Sequence, residues 1–215
     1  MTFAFIMSKY YQIKERTNME YNFFATISRM KYINRWALMR NSRNENLSEH
    51  SLEVAMIAHA LCSIGNVRYE KKLNADRAAL IGLYHDSSEI ITGDMPTPVK
   101  YYNPDIKEAY KEVEKIAEFK LLEKLPRDLR PVYEEIYKTD NTADDKYMRA
   151  LVKAADKISA YIKCIEEEKS GNTEFSTAKK SIEKSLDKYS KDYPEVKDFI
   201  AEFLPPYGKT LDELN

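Results

Sequence analysis

The chain has 215 residues, with 34 Lys plus Arg against 35 Asp plus Glu and a formal net charge of −1, which excludes the whole-chain basic field of a nucleic-acid binder. Apolar residues make up 43% and charged residues 32%; that is too apolar for disorder, and a chain of this length can bury roughly 70% of its unfolded surface. Five glycines are too few for the turns of a sandwich, a barrel or a dinucleotide-binding sheet, and the only cysteines, Cys62 and Cys164, make neither a disulfide framework nor a zinc–thiolate site and fit a reducing cytoplasm.

No run approaches the roughly 18 consecutive apolar residues of a membrane span, so no membrane partner is expected. Residues 1–7 (MTFAFIM) lack the basic n-region and cleavage site of a signal peptide. Met19 is a candidate start, which leaves 1–18 as a poorly ordered extension and 19–215 as one domain. Phe23, Ile27, Met30 and Ile33 recur at helical spacing and predict a first amphipathic helix. Asn41 to Asn46 is a polar loop. Ser48 is an N-cap candidate for a second helix over 49–63, apolar nearly all round and therefore central. Asn74 caps a third helix over 75–90. Residues 92–100 (TGDMPTPVK) form an ordered loop stiffened by two prolines.

Asn103 and Pro104 look like the N-cap and first position of a helix that runs to about 125. Pro126 and Pro131 bracket a short helix with Tyr133 and Ile136 on its apolar side. Thr142 to Asp145 resembles a capping box. Met148, Leu151, Ala155, Ile158, Ile162 and Ile165 then make one long stripe, which Gly171 ends. Two helices follow, carrying Phe175, Ala178 and Ile182, then Phe199, Ile200 and Phe203. The pattern predicts an all-α domain, a bundle of about seven to eight helices without strands.

Three histidines allow each to be weighed separately. His50 lies in the first turn of the second helix. His59 follows nine residues later, about half a turn off at roughly 100° per residue, so it faces away and reads as a core or supporting residue. His85-Asp86 offers an imidazole and a carboxylate to a divalent ion. Glu89, three and four residues on, shares their expected helix face. Asp156 sits in a run of small and apolar residues, where a carboxylate is costly unless it is paired or holds a metal; Lys153 and Lys157 are its alternative partners. Arg35-Trp36 combines a forked phosphate grip with a flat wall, or else is an exposed Arg beside a core Trp. The loop Asp94-Met95-Pro96-Thr97 can hold Asp94 and Thr97 rigidly over a pocket, or simply connect two helices.

The order His50, His85-Asp86, Asp156 resembles the pattern of the HD-domain phosphohydrolases. The longer strings at 33–61, 83–103 and 151–167 carry NRW, SEHS, YHDxSE, TGDxPTPVKY and KxADxxxAYxKC. With these the chain is similar to the YfbR-type 5′-deoxynucleotidases over about residues 20–210. The resemblance implies an HD-domain helical bundle and a metal-dependent phosphomonoesterase acting on deoxyribonucleoside 5′-monophosphates. It implies His50, His85, Asp86 and Asp156 as ligands of one divalent ion, either Mn, Co, Fe, Zn or Cu. Asp86 thereby also serves catalysis, and Glu89 places or deprotonates the attacking water. Arg35 and Trp36 hold the phosphate, and Asp94 takes the sugar 3′-hydroxyl. Thr97 shares the Asp94 loop, and Met95, Pro96, His50 and Asp156 complete the substrate pocket. A cytoplasmic homodimer is implied by the resemblance alone. A dNTP hydrolase, an alarmone hydrolase and an inactive helical nucleotide-binding module are the alternatives. Five chemistry-bearing residues kept together argue against an inactive scaffold.

Overall fold

The computed structural model describes residues 20–100 and 102–215, without the side chains of Thr97 and Pro98. The expected extension at 1–18 and the start at Met19 lie outside the described residues. Helix α1, Phe23–Ile27, passes into a 3-10 turn, Ser28–Tyr32. The expected single helix is thus split, and Ile33 is already extended at φ −98° and ψ 110°. It leaves the helix because its carbonyl accepts from Leu47 N at 2.9 Å.

Helix α2 spans Leu47–Arg68, longer than expected at both ends. Its N-cap is Asn46 rather than Ser48. The Asn46 side chain accepts from Ser48 N and Glu49 N, and Glu49 reaches back to Asn46 N, a reciprocal capping box. The helix is central as expected, with Val54, Ile57, Ala58, Leu61 and Cys62 buried. Helix α3 spans Ala75–Tyr84, capped by Asn74 as expected. It stops at Tyr84 rather than about 90, because Ser87 N bonds Tyr84 O and Glu89 N bonds Asp86 O in tight turns. Two one-turn helices follow, α4 (Glu89–Thr92) and α5 (Thr97–Lys100).

Helix α6, Pro104–Leu122, begins on the Asn103 cap and Pro104. Helix α7, Arg130–Tyr137, carries Pro131 in its first turn, where a missing N–H costs nothing. The two prolines therefore do not bracket it. Helix α8, Ala143–Lys169, is the long stripe, capped by Thr142. Only half of the expected capping box forms, since the Asp145 carboxylate pairs with Arg149 at 2.9 Å. A 3-10 turn over Thr173–Phe175, α9 (Ser176–Asp192), α10 (Pro194–Glu202) and a last 3-10 turn over Leu211–Leu214 complete the chain. Among the described residues there are seven helices of eight residues or more and no strand, only an isolated bridge between Asn34 and Asn46. No described helix is long and apolar enough to cross a membrane.

The main core joins α2, α3 and α8 through Val54, Leu61, Ile81, Leu151, Ile158 and Ile162. Each such side chain contributes about 1.5–3 kcal/mol on burial. Gly82 sets the approach of α3 to α2. A Cβ there would lie 2.8 Å from Ala55 Cα, so only glycine lets the two backbones close. That contact brings the end of α3, with His85, against the start of α2, with His50.

Candidate active site

Three elements converge: the first turn of α2, the turn after α3 and the middle of α8. His50 Nε2 lies 3.3 Å from Asp156 Oδ1 and 3.6 Å from Asp86 Oδ2. His85 Nε2 lies 2.9 Å from Asp86 Oδ2. One donor atom each from His50, His85 and Asp156 fall within 4.8 Å of one another. All four residues singled out as ligands therefore meet. Asp156 also pairs with Lys157 at 3.0 Å, so the alternative expected for it is present beside the cluster rather than instead of it.

The donor set has the chemistry of a divalent-ion site. His50 Nδ1 is engaged by Ser159 Oγ at 2.9 Å, and His85 Nδ1 by the Gly82 carbonyl at 2.8 Å. Against a carbonyl, Nδ1 of His85 must donate, so a neutral ring presents a lone pair at Nε2. Both Nε2 atoms are buried without a hydrogen-bond partner. The His85 Nε2 lone pair facing the Asp86 carboxylate requires positive charge between them. Without an ion that charge is a proton: burial opposes it, but Asp86 and then Asp156 push the His85 pKa up to about 9. Burial and then Arg35 lower that of His50. Imidazole nitrogens and carboxylates oriented in this way fit a divalent cation.

Glu89 opens α4 rather than sharing a helix with His85, yet it is buried beside Asp86, and its Oε2 has no hydrogen-bond partner. Burial, then Asp86 and Asp94, push its carboxyl up to about 9 in the metal-free site. A cation close by works against that shift.

Arg35 and Trp36 are placed by a residue that was missed. Arg35 Nη1 donates to Glu45 Oε2 at 2.9 Å, and Trp36 Nε1 donates to the same oxygen at 3.1 Å. Arg35 N also donates to Glu45 O at 2.9 Å. Trp36 sits at φ 57°, unusual for a bulky residue, so its backbone is held against preference. Its ring meets Phe175 edge-on at 5.3 Å. The Arg35 charge is countered by Glu45, Asp156, Asp86 and Asp94. Neither residue matches the alternative of an exposed Arg beside a core Trp, since both are half-buried. Asp94 lies close enough to Arg35 to feel its charge: burial raises its pKa and Arg35 opposes the rise. Met95 is half-buried and Pro96 exposed. Thr97 opens α5, and its side chain lies outside the described part. The Asp94 loop is pinned on both sides, by Thr92 to the Tyr110 hydroxyl at 3.1 Å and by Lys100 to Glu114 at 2.8 Å.

His59 departs from expectation. It is exposed, with Nε2 3.7 Å from Asp76 Oδ1, because the apolar surround of α2 opens to solvent on that side. It does face away from His50, as its spacing requires.

The polar loop that carries Glu45 is clamped from α8. Lys163 Nζ donates to the Arg43 carbonyl and to Glu167, and Glu167 accepts from Ser42 N at 2.8 Å and Asn172 Nδ2 at 2.7 Å. Burial opposes the Glu167 charge, but these bonds outweigh it and hold the pKa down at about 2, from an ordinary 4.5. The stabilisation is complete above the ordinary value and is lost as pH falls toward the folded one; its size is on the order of 3 kcal/mol. Denaturant titrations of wild type and Glu167→Gln should therefore differ most near neutrality and converge in strong acid. Parallel pH profiles would contradict the clamp.

Comparison with known proteins settles the family. The family model described as "5′-deoxynucleotidase YfbR-like" matches residues 22–207. A 5′-deoxynucleotidase of Erwinia tasmaniensis is 50% identical over 194 residues, 90% of this chain and 96% of that protein. The chain belongs to the YfbR-like 5′-deoxynucleotidases. A further 5′-deoxynucleotidase, from Pectobacterium atrosepticum, is 48% identical over the same shares. Among solved structures, an HD-domain phosphohydrolase from Listeria innocua is similar with a TM-score of 0.73 at 25% identity, covering 86% of this chain and 87% of that one. A predicted metal-dependent phosphohydrolase from Magnetospirillum magnetotacticum follows at a TM-score of 0.53 and 25% identity, covering 82% of each chain. Membership of this family makes the chain a phosphoric monoester hydrolase on an HD-domain helical fold.

Proposed function

We propose that this site hydrolyses deoxyribonucleoside 5′-monophosphates to the deoxynucleoside and phosphate, with one divalent ion held by His50, His85, Asp86 and Asp156. The observation that carries the reading is the pair of unpartnered buried Nε2 atoms facing Asp86 and Asp156. A divalent ion bound there lowers the pKa of water and offsets charge on the phosphoryl group. Glu89, buried and with Oε2 free, takes the proton of the attacking water. Arg35 meets the phosphate where negative charge grows. Trp36, Met95, Pro96 and Thr97 bound the nucleotide, and Asp94 receives the 3′-hydroxyl.

Phosphate release from a panel of 5′-dNMPs, 5′-NMPs and dNTPs tests the reading. Release from the dNMPs alone is expected; equal release from NMPs, or release confined to dNTPs, would contradict it. The identity of the ion is open among Mn, Co, Fe, Zn and Cu, and the same panel run with each gives the order. Buried free thiols at Cys62 and Cys164 support a cytoplasmic setting. Exposed Val113, Ile116 and Phe119 on α6 support a homodimer; a species of only 25.1 kDa by light scattering would contradict it.

The Asp94 role has its own test. A 2′,3′-dideoxy substrate leaves the Asp94 carboxylate unpaired, which costs about 1–3 kcal/mol or more. Wild type should therefore disfavour that substrate by roughly tenfold or more, and Asp94→Ala should remove most of the gap. A double-mutant cycle without coupling would show that Asp94 does not read the 3′-hydroxyl.

A further inference from the structure

The His50 ring is held from behind by two side chains that the chemistry above does not use. Its Nδ1 lies 2.9 Å from Ser159 Oγ, and that hydroxyl donates to Glu53 Oε2 at 2.6 Å. His50 and Ser159 are fully buried. Glu53 is half-buried and lies on the wall of an open hollow shared with Arg43, Glu45, Glu49, Lys163 and Glu166. A serine hydroxyl has one hydrogen and two lone pairs. Once Ser159 gives its hydrogen to Glu53, it has only lone pairs left for His50, so Nδ1 must be the donor. The Nε2 lone pair then points at Asp86 and Asp156.

A competing arrangement exists. With its proton on Nε2, His50 would aim an N–H at Asp156 Oδ1, 3.3 Å away. The carboxylates in front draw the proton to Nε2, and the relay behind draws it to Nδ1. His85 faces no such contest, because its Nδ1 meets a backbone carbonyl. The two imidazoles are thus oriented by different devices, one built into the backbone and one made of replaceable side chains.

We propose that Glu53, acting through Ser159, is a positioning residue that fixes His50 in its Nδ1–H form and so keeps Nε2 available as a metal donor. Burial, then Glu45 and Glu166, raise the Glu53 carboxyl to about 7 against the opposing Ser159 bond, which makes its ionised form a strong acceptor. The proposal rests on reading the His50 cluster as a metal centre, and its test separates the two.

The variants are Ser159→Ala, Glu53→Leu and Glu53→Gln. The last keeps an oxygen that accepts from Ser159. Nitrogen NMR of the metal-free protein, at a pH well above that of Glu53, reads which nitrogen of His50 carries the proton; with three histidines in the chain, assignment is direct. Zinc titration of the same proteins reads affinity. Wild type and Glu53→Gln should show Nδ1–H. Ser159→Ala and Glu53→Leu should gain the Nε2–H form and bind zinc about 10–100-fold more weakly, the usual effect of losing a partner behind a ligand. Wild-type His50 protonated at Nε2 would overturn the proposal. So would folded Ser159→Ala and Glu53→Leu proteins with unchanged tautomer and zinc affinity. A wild type that shows Nδ1–H yet binds no metal would uphold the positioning and overturn the metal-centre reading instead.

Discussion

Glu89→Gln is expected to retain the metal and to lose about 10²–10⁴-fold in turnover, the usual range for removing a positioned proton acceptor. The substitution is close to a pure test of chemistry. Glutamine has the shape of the protonated carboxyl, which is the form that burial, Asp86 and Asp94 favour in the metal-free site. Folding should therefore be untouched, and Asp86 should keep its place, since the Glu89 N to Asp86 O bond is backbone. Metal content by mass spectrometry and kcat on a dNMP form the measurement. Loss of metal together with activity would make Glu89 a ligand, and full activity would remove it from the mechanism.

Arg35→Ala is the second large effect. The guanidinium is mostly buried, pairs with Glu45 at 2.9 Å and feels the negative charges of Asp156, Asp86 and Asp94. Removing it leaves the Glu45 carboxylate without its ion partner, and breaking a buried pair costs about 3–5 kcal/mol. It also removes charge from where the phosphoryl group becomes more negative, worth about 10²–10³-fold in kcat. We expect kcat/KM to fall at least that far and the melting temperature to drop as well. Arg35→Lys separates the effects. It restores a positive charge and much of the stability, but not the forked grip, so activity should remain well below wild type. Arg35→Ala with kcat/KM within a few-fold of wild type would place the phosphate elsewhere.

The residues that carry the site were legible because each is chemically conspicuous against its surroundings. Asp156 stands in an apolar run, and His50 and His85 are two of three histidines. The helical stripes of α2 and α8 were equally readable from periodicity. The supporting residues were not. Glu45 lies in a polar loop where a carboxylate attracts no notice, yet it holds both Arg35 and Trp36. Ser159 and Glu53 sit among ordinary helical residues, and only tertiary packing of α2 against α8 joins them. The break after Tyr84 was hidden for another reason: apolar spacing continues through it, and the turn is made by backbone bonds that no side-chain pattern reports. His59 misled because α2 looks apolar all round, whereas one side of that helix meets solvent.

On the proposed reading, one divalent ion held by His50, His85, Asp86 and Asp156 is needed for phosphate release from a dNMP. The most direct measurement strips the purified protein with a chelator, removes the chelator, and follows phosphate release while manganese is added back. No release is expected from the stripped protein, and full activity should return with one ion bound per chain. Full activity in the stripped protein, or full activity only with more than one ion bound per chain, would contradict it.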